Sequence, residues 1–315
     1  MSFRGLGCAG PVERYGLKRK FRIWAGVIPL LLWGLMYSPA ADAQGISSWI
    51  GTSPWWDWSD FRGYAGYRIF MPTVSGQVEV GGETHDFSDF YGISGDPQLF
   101  KSLYAIFYID RLGIRVEVEE DHKFRGRMTD IGNIHTISQL NMSGNKIGLD
   151  LDIIRTPFAR AGINYTYHME EVEFEIRKLL PKTYNARKWS PPDEWTKYAG
   201  DNAMTIGIHG RVIPFRIREV PFTMQGRFRF PVPFYKQDEE TRLTEWEASA
   251  GLRPAVWETS LLAHSTFSLA IEGGFRQTYL RMNAEPQWSN LQSRPGEATI
   301  SAKWSGAFIQ VNVVY

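Results

Sequence analysis

The chain has 315 residues with 35 basic and 34 acidic side chains, which leaves a formal net charge of +1. A balance this close to neutral excludes the basic footprint of a nucleic-acid-binding protein, and a single cysteine, Cys8, excludes a disulfide framework. The mean hydropathy of -0.29 is that of a soluble protein, although strands that alternate apolar and polar residues reach the same average.

The amino terminus has the order of a secretory signal peptide. A basic run at residues 18–22 precedes an uncharged stretch at 23–37, and the small-residue sequence Ala41-Asp42-Ala43 follows. We predict that residues 1–43 are removed by cleavage after Ala43. The remaining chain then carries 29 basic and 32 acidic residues and no cysteine, because residues 1–43 hold six Lys/Arg, two Asp/Glu and Cys8.

Residues 44–62 form a tryptophan-rich leader with Trp49, Trp55, Trp56 and Trp58. Tryptophan favours membrane interfaces, where one part of the ring is wet and the rest is apolar. We predict a periplasmic leader that lies at a membrane surface or caps the domain after it. A loose leader is the alternative.

From residue 63 the chain reads as ten strands joined by alternately short and long connections. Each strand is long enough to cross a bilayer at a tilt, which takes about 9–11 residues. If the barrel has more than ten strands, we expect the first additional strand at residues 77–80. The predicted strands are 64–71, 99–109, 114–122, 136–154, 160–175, 202–213, 222–230, 244–256, 267–281 and 298–315.

Within most of these strands, apolar and charged residues alternate. Ile114, Val116 and Val118 alternate with Arg115 and Glu117, so a strand separates them onto opposite faces. The same alternation fits a soluble sandwich, but the strand lengths and the signal peptide favour a membrane wall outside and a polar lumen inside. Four apolar residues share the inward parity, and we predict that they lie past the membrane or beyond a bulge near Gly144: Leu140, Met142, Val172 and Phe174.

The final strand carries a recognisable pattern. Ile309, Val311, Val313 and Tyr315 share one face, and the sequence stops on that aromatic residue. This resembles the terminal strand of bacterial outer-membrane β-barrels, which implies recognition by the barrel-assembly machinery. Residues 85–96, acidic and followed by a strand, a tight turn and a strand, resemble the first loop of small uncharacterised proteobacterial outer-membrane barrels.

The fold class that we predict is therefore all-β, a transmembrane antiparallel up-and-down β-barrel over residues 63–315. Ten strands fit best, and eight or twelve are the alternatives. The location implied is the outer membrane of a Gram-negative bacterium.

The inward parity collects charges of both signs. Ten strands enclose a narrow lumen, and an unpaired charge there costs several kcal/mol of desolvation. We therefore predict a narrow or plugged lumen held by ion pairs. The eight basic residues are Arg68, Arg115, Lys146, Arg211, Arg227, Arg229, Arg253 and Arg276, and the nine acidic residues are Glu117, Glu119, Asp121, Asp150, Asp152, Glu170, Glu245, Glu247 and Glu272.

Catalysis has three weak candidates at the outer mouth, namely His168, Glu170 and Asp121. The ten-stranded omptin proteases use acidic and His residues there, but no omptin motif matches this sequence residue by residue. The histidines are scattered without metal-ligand spacing, and we expect neither a metal nor a cofactor.

The function that we expect is structural, adhesive or small-solute handling, with outer loops 73–97 and 176–200 meeting a partner. The partners that we expect are outer-membrane lipid, the assembly machinery and an unidentified extracellular ligand, without nucleic acid. The alternatives are a surface hydrolase or lipid-modifying enzyme of omptin-like build and a soluble periplasmic β protein.

Overall fold

A computed structural model describes residues 61–93, 95–126, 129–131, 134–156, 158–179, 194–200, 202–217, 220–232, 241–259, 265–289 and 296–314. The predicted signal peptide, the leader up to residue 60 and Tyr315 lie outside them. The strands are β1 Phe61–Val80, β2 Glu83–Asp86, β3 Phe100–Ile109, β4 Leu112–Glu119, β5 His122–Arg125, β6 Thr129–Ile131, β7 Ile134–Arg155, β8 Ala159–Leu179, β9 Glu194–Gly200, β10 Ala203–Ile217, β11 Val220–Pro231, β12 Arg242–Thr259, β13 Ser265–Ala284, β14 Pro286–Ser289 and β15 Ala298–Val314.

The chain divides into two compact units, Met1–Ser53 with Thr259–Ser265 and Pro54–Glu258 with Thr266–Tyr315. Of the first unit, the described residues are only Thr259 and Ser265, the end residues of β12 and β13. The second unit holds the sheet. No helix in the described part of the chain is long and apolar enough to cross a membrane.

Within the described residues, ten long strands close into one antiparallel ring. Their order is β1-β3-β4-β7-β8-β10-β11-β12-β13-β15. The ring closes because β15 pairs with β1 along seventeen successive residue pairs, from Tyr64 opposite Val314 to Val80 opposite Ala298. Closure removes the unpaired sheet edges that a membrane cannot solvate. The predicted all-β, ten-stranded barrel is confirmed.

The two ends of the barrel differ. At one end, which we call the short-turn end, β1 begins, β15 ends and short connections join β3 to β4 and β7 to β8. At the opposite long-loop end, residues 87–99 and 180–193 connect successive strands, and the short strands β2, β5, β6, β9 and β14 extend the wall there. Outer-membrane barrels place short turns in the periplasm and long loops outside.

Side chains alternate between the two faces of the wall as predicted. Ile147, Leu149 and Ile208 point outward and are 44%, 47% and 60% exposed, whereas inward residues of the same strands, such as Lys146, are buried. An exposed apolar belt around a closed barrel with charges inside inverts the arrangement of a soluble protein. The architecture is that of an outer-membrane β-barrel.

The first strand is longer than predicted. It runs without a break from Phe61 to Val80, so the expected hidden strand at 77–80 is the end of β1. Pro72 lies within this strand, and its carbonyl points to the side of β3, where it accepts a hydrogen bond from the Gln98 amide at 3.1 Å. The β1–β3 ladder ends at Phe70. A proline, which has no N–H, is tolerated at position 72 because its nitrogen faces β3 beyond the end of the β1–β3 ladder.

The four apolar residues with inward parity stay on the inner face, so no bulge turns them to the other side. Their predicted position past the membrane stays a prediction. The pairing of β7 does shift by one residue opposite Gly144, between the pair Val118–Asn145 and the pair His122–Met142. The β7–β8 register is continuous through Gly144 and shifts only between Asp152 and Ile154. The side chains of Leu140, Met142, Val172 and Phe174 are buried. They belong to an apolar core whose members come from strands on all sides of the ring, so the core fills the interior near the long-loop end.

Candidate functional site inside the barrel

The middle of the lumen is occupied by ion pairs arranged around Glu245. Its carboxylate contacts Lys146 Nζ at 2.8 Å and Arg276 Nη2 at 2.8 Å, and it also accepts a hydrogen bond from Arg229. All four side chains are almost completely buried. Ion pairs without access to water are stable only where each charge is both compensated and hydrogen-bonded, and Glu245 compensates cations from three strands.

Arg68 extends this layer toward β1. Its guanidinium donates two hydrogen bonds to Glu247, at 2.9 and 3.0 Å, and a third to Glu117 at 3.2 Å. It also lies over the rings of Tyr104 and Phe308, at 5.1 and 4.5 Å from their centroids. The bidentate pair and the stacked rings fix the orientation of the side chain.

Glu119 completes the layer from β4. It contacts Lys146 Nζ at 3.2 Å and accepts a hydrogen bond from Arg276. The central layer thus contains four cations and four anions, so its formal charges balance. Its members are Arg68, Lys146, Arg229, Arg276, Glu117, Glu119, Glu245 and Glu247.

A second group of charges lies nearer the short-turn end around Asp150. Arg227 contacts its carboxylate at 3.2 Å and Arg115 at 3.5 Å, and Arg115 donates to the Thr166 hydroxyl at 2.6 Å. Gly148 provides the clearance, because a Cβ there would lie 2.5 Å from an Arg115 nitrogen. A side chain at position 148 would therefore displace the Arg115 guanidinium from its present position.

Below this group, a cavity of about 320 Å³ occupies the short-turn end of the lumen. It is lined by Tyr64 and Tyr108, by His209, and by several arginines on β8, β10, β11 and β12. Glu247 belongs both to the cavity wall and to the central layer. The cavity and the central layer of ion pairs therefore adjoin each other at Glu247.

Above the central layer, the connection between β2 and β3 folds into the barrel. We call residues 87–93 the inserted segment. Phe87, Tyr91 and Ile93 are buried, and Phe174 of β8 stacks on Phe87 at 5.6 Å and meets Tyr91 edge-on at 4.9 Å. Burial raises the pKa of the Tyr91 phenol, so this ring packs in its neutral form.

Two wall glycines give the inserted segment its space. A Cβ on Gly76 would lie 2.7 Å from the Phe87 ring, and one on Gly126 would lie 2.2 Å from the Tyr91 carbonyl. Backbone hydrogen bonds fix the segment at both ends, from the Phe87 amide to Gly76 and from the Ile93 amide to Phe87, each 2.9 Å long. The lumen thus contains apolar packing at this level and ion pairs below it.

The structure places the predicted lumen residues as follows. The described basic and acidic residues of that set point inward, with two qualifications. Asp121 is exposed and lies in the short break between β4 and β5, where the pairing with β7 shifts by one residue, and the side chain of Glu170 lies outside the described part of the chain. Glu272 accepts hydrogen bonds from the neutral side chains of Gln225 and Gln310, each at 2.6 Å.

Of the three catalytic candidates, the structure describes the side chains of His168 and Asp121, and these two differ in their surroundings. His168 is fully buried and lies 2.8 Å from the Thr205 hydroxyl, whereas Asp121 faces solvent. Among the described residues, no group of three or more His, Cys, Asp or Glu side chains could hold a metal ion.

Sequence reasoning missed the inserted segment. Phe87, Tyr91 and Ile93 stand among Ser, Asp and Gly without a period, which is typical of a loop. The available signal was the inward parity of Leu140 and Phe174, because apolar side chains inside a barrel need an apolar partner there.

Comparisons with known proteins give distant similarities. No family model matches the chain, and no curated protein matches its sequence. The outer membrane protease OmpT from Escherichia coli superposes with a TM-score of 0.46 at 11% identity, over 81% of this chain and 98% of OmpT. The translocator domain of autotransporter NalP from Neisseria meningitidis gives 0.33 at 10%, over 86% and 92% of the two chains. The Pseudomonas putida toluene transporter TodX gives 0.26 at 7%, over 79% and 89%. Similarities this distant carry no argument about activity.

Proposed function

We propose that this protein is a closed, non-conducting barrel of the Gram-negative outer membrane, with a structural or adhesive role exerted from its long-loop end. The observation that carries the proposal is that two layers of packed side chains occupy the lumen. A balanced layer of buried ion pairs lies below an apolar core that includes Phe87 and Phe174. Open pores need a water-filled path, which paired charges and packed rings both deny.

The membrane location is supported by the exposed apolar belt on the barrel wall. Ile309, Val311 and Val313 of β15 are part of it, at 54%, 42% and 40% exposure. Transferring that belt from water to lipid is favourable by about 25 cal/mol per Å², which disfavours the soluble periplasmic alternative. In this proposal the partners are outer-membrane lipid and the barrel-assembly machinery, which would read β15.

The long-loop end is the surface that would meet an extracellular partner. Its expected first loop, 73–97, contributes less surface than its length implies, since β1 continues to Val80 and residues 87–93 pack inward. The exposed part near this loop is the β1–β2 hairpin tip, with Gly81 and Gly82 in left-handed conformations. Loops on a rigid barrel are where binding residues concentrate.

The hydrolase alternative has less support. A protease-like site needs acid and base groups within hydrogen-bond reach at an open mouth. Here His168 is buried and Asp121 is exposed, so these two do not form such a site.

Conductance of the purified, refolded protein in a planar bilayer tests the proposal. We expect a silent bilayer, with folding verified separately by a heat-dependent shift on a gel. Steady unitary current steps from protein that passes the gel test would refute the closed lumen and make small-solute passage the better function.

A further inference from the structure

The cavity at the short-turn end contains more positive charge than its carboxylates neutralise. It measures about 320 Å³, within reach of the 300–1,000 Å³ of small-molecule pockets. Its wall carries two carboxylates and four guanidinium groups, which belong to Asp152, Glu247, Arg160, Arg211, Arg227 and Arg253.

Both carboxylates already have cationic or polar partners. Glu247 forms its bidentate pair with Arg68 at 2.9 and 3.0 Å. Asp152 lies 2.8 Å from His209 Nε2 and 3.9 Å from Arg160 Nη1. Neither carboxylate is therefore available to neutralise the other arginines of the cavity.

Among the four arginines, Arg211 and Arg253 remain without a carboxylate. Arg227 is paired with Asp150 at 3.2 Å. For Arg211 and Arg253, the described residues supply no ion pair, and the Nε atom of each is buried without a hydrogen-bond partner. A half-buried guanidinium without an anion keeps its desolvation cost uncompensated, so an anion entering the cavity would be stabilised.

We propose that this cavity binds a small organic anion from the short-turn side, with its carboxylate or phosphate group held by Arg211 and Arg253. Guanidinium groups present paired donors that match the oxygens of both groups. Tyr64 and Tyr108 line the same cavity and offer ring surface to the organic part of the ligand.

This site goes beyond the proposed function and is independent of it. Glu247 of the ion-pair layer lies in the wall of the cavity, so the site needs access from the short-turn end only and does not depend on whether the barrel conducts. In the topology of outer-membrane barrels that end faces the periplasm. A current in the bilayer test would refute closure without removing the two arginines from the cavity wall.

Isothermal titration of the refolded, leader-containing chain 44–315 in a non-ionic detergent tests this site. The probes are phenyl phosphate and benzoate, with phenol as the neutral control. We expect saturable binding of one or both anions, weaker binding at high salt because the attraction is electrostatic, and no binding of phenol. The probe that binds more tightly assigns the ligand to the phosphate or the carboxylate class.

The variant R211Q/R253Q should weaken anion binding by about tenfold or more, since charge-assisted hydrogen bonds are lost from a partly dry site. The double variant removes two positive charges, one from β10 and one from β12. The control R216Q removes one positive charge from β10 at an exposed position, so it is matched to R211Q. Folding of each variant is verified by the heat-dependent gel shift, and the single variants R211Q and R253Q replace the double variant if it fails that check.

Three results would overturn the site: no binding of either anion by the folded wild type, equal binding of phenol, or equal weakening by R216Q and by the cavity variants. A loss confined to the cavity variants supports it.

Discussion

Glu245 is the residue on which the charge balance of the lumen depends most. Lys146 and Arg276 each have a second carboxylate in Glu119, but Arg229 has Glu245 as its carboxylate partner among the described residues. Removing one partner from a buried pair costs more than the pair contributes, because the remaining charge stays buried. The charged residues of the lumen thus differ in how much they contribute to stability. The sequence does not show this difference, because it indicates only that all of them lie on the inward face of their strands.

We predict that E245Q destabilises the barrel by about 3–5 kcal/mol, the usual cost of breaking a buried ion pair. Urea unfolding in lipid vesicles, followed by tryptophan fluorescence, measures the change. The control is E83Q, whose side chain is 81% exposed and whose stability should equal that of the wild type. An E245Q barrel as stable as E83Q would show that the pairs contribute little to folding.

The element that distinguishes this barrel is the inserted segment, residues 87–93. Its rings pack on Phe174, and Gly76 and Gly126 leave room for it. An apolar segment of this kind converts the outer half of the lumen into a packed protein core, so its removal should cost what a core cavity costs.

We predict that F87A destabilises the barrel by about 3–5 kcal/mol, as truncation of a buried aromatic residue does. The same urea titration applies, with S88A as the control because Ser88 is the exposed neighbour in the same segment. If both variants unfold at the same urea concentration as the wild type, the segment does not pack as a core.

Most strands could be predicted because the wall imposes a period of two along each of them. Ile114 to Glu119 and Ile147 to Asp152 alternate strictly, since one face meets lipid and the other meets charge. The period carries no information about what fills the lumen, so the inserted segment and the cavity at Arg211 and Arg253 were not predictable from it. Parity placed those arginines inside, but only the strand register shows which carboxylates they fail to reach.

At the scale of the whole molecule, the chain's lack of cysteine beyond Cys8 allows a direct test of orientation. We predict that T84C, near the long-loop end, reacts with a membrane-impermeant maleimide on intact cells. F158C, at a turn residue of the short-turn end that is 67% exposed, should react only after the outer membrane is permeabilised. The reverse pattern of labelling would invert the proposed topology.

The position of the inserted segment in the chain also constrains the order of assembly. It lies early in the chain, whereas its partner Phe174 and the core residues Ile300 and Trp304 lie much later. The strand β15 both seals the ring against β1 and completes the packing around the segment. Before β15 pairs, a folding intermediate therefore exposes apolar surface on its inner face as well as on its outer face. Contacts between residues this distant in sequence also form slowly. We therefore expect the apolar surfaces of this chain to need protection from aggregation until β15 has paired with β1.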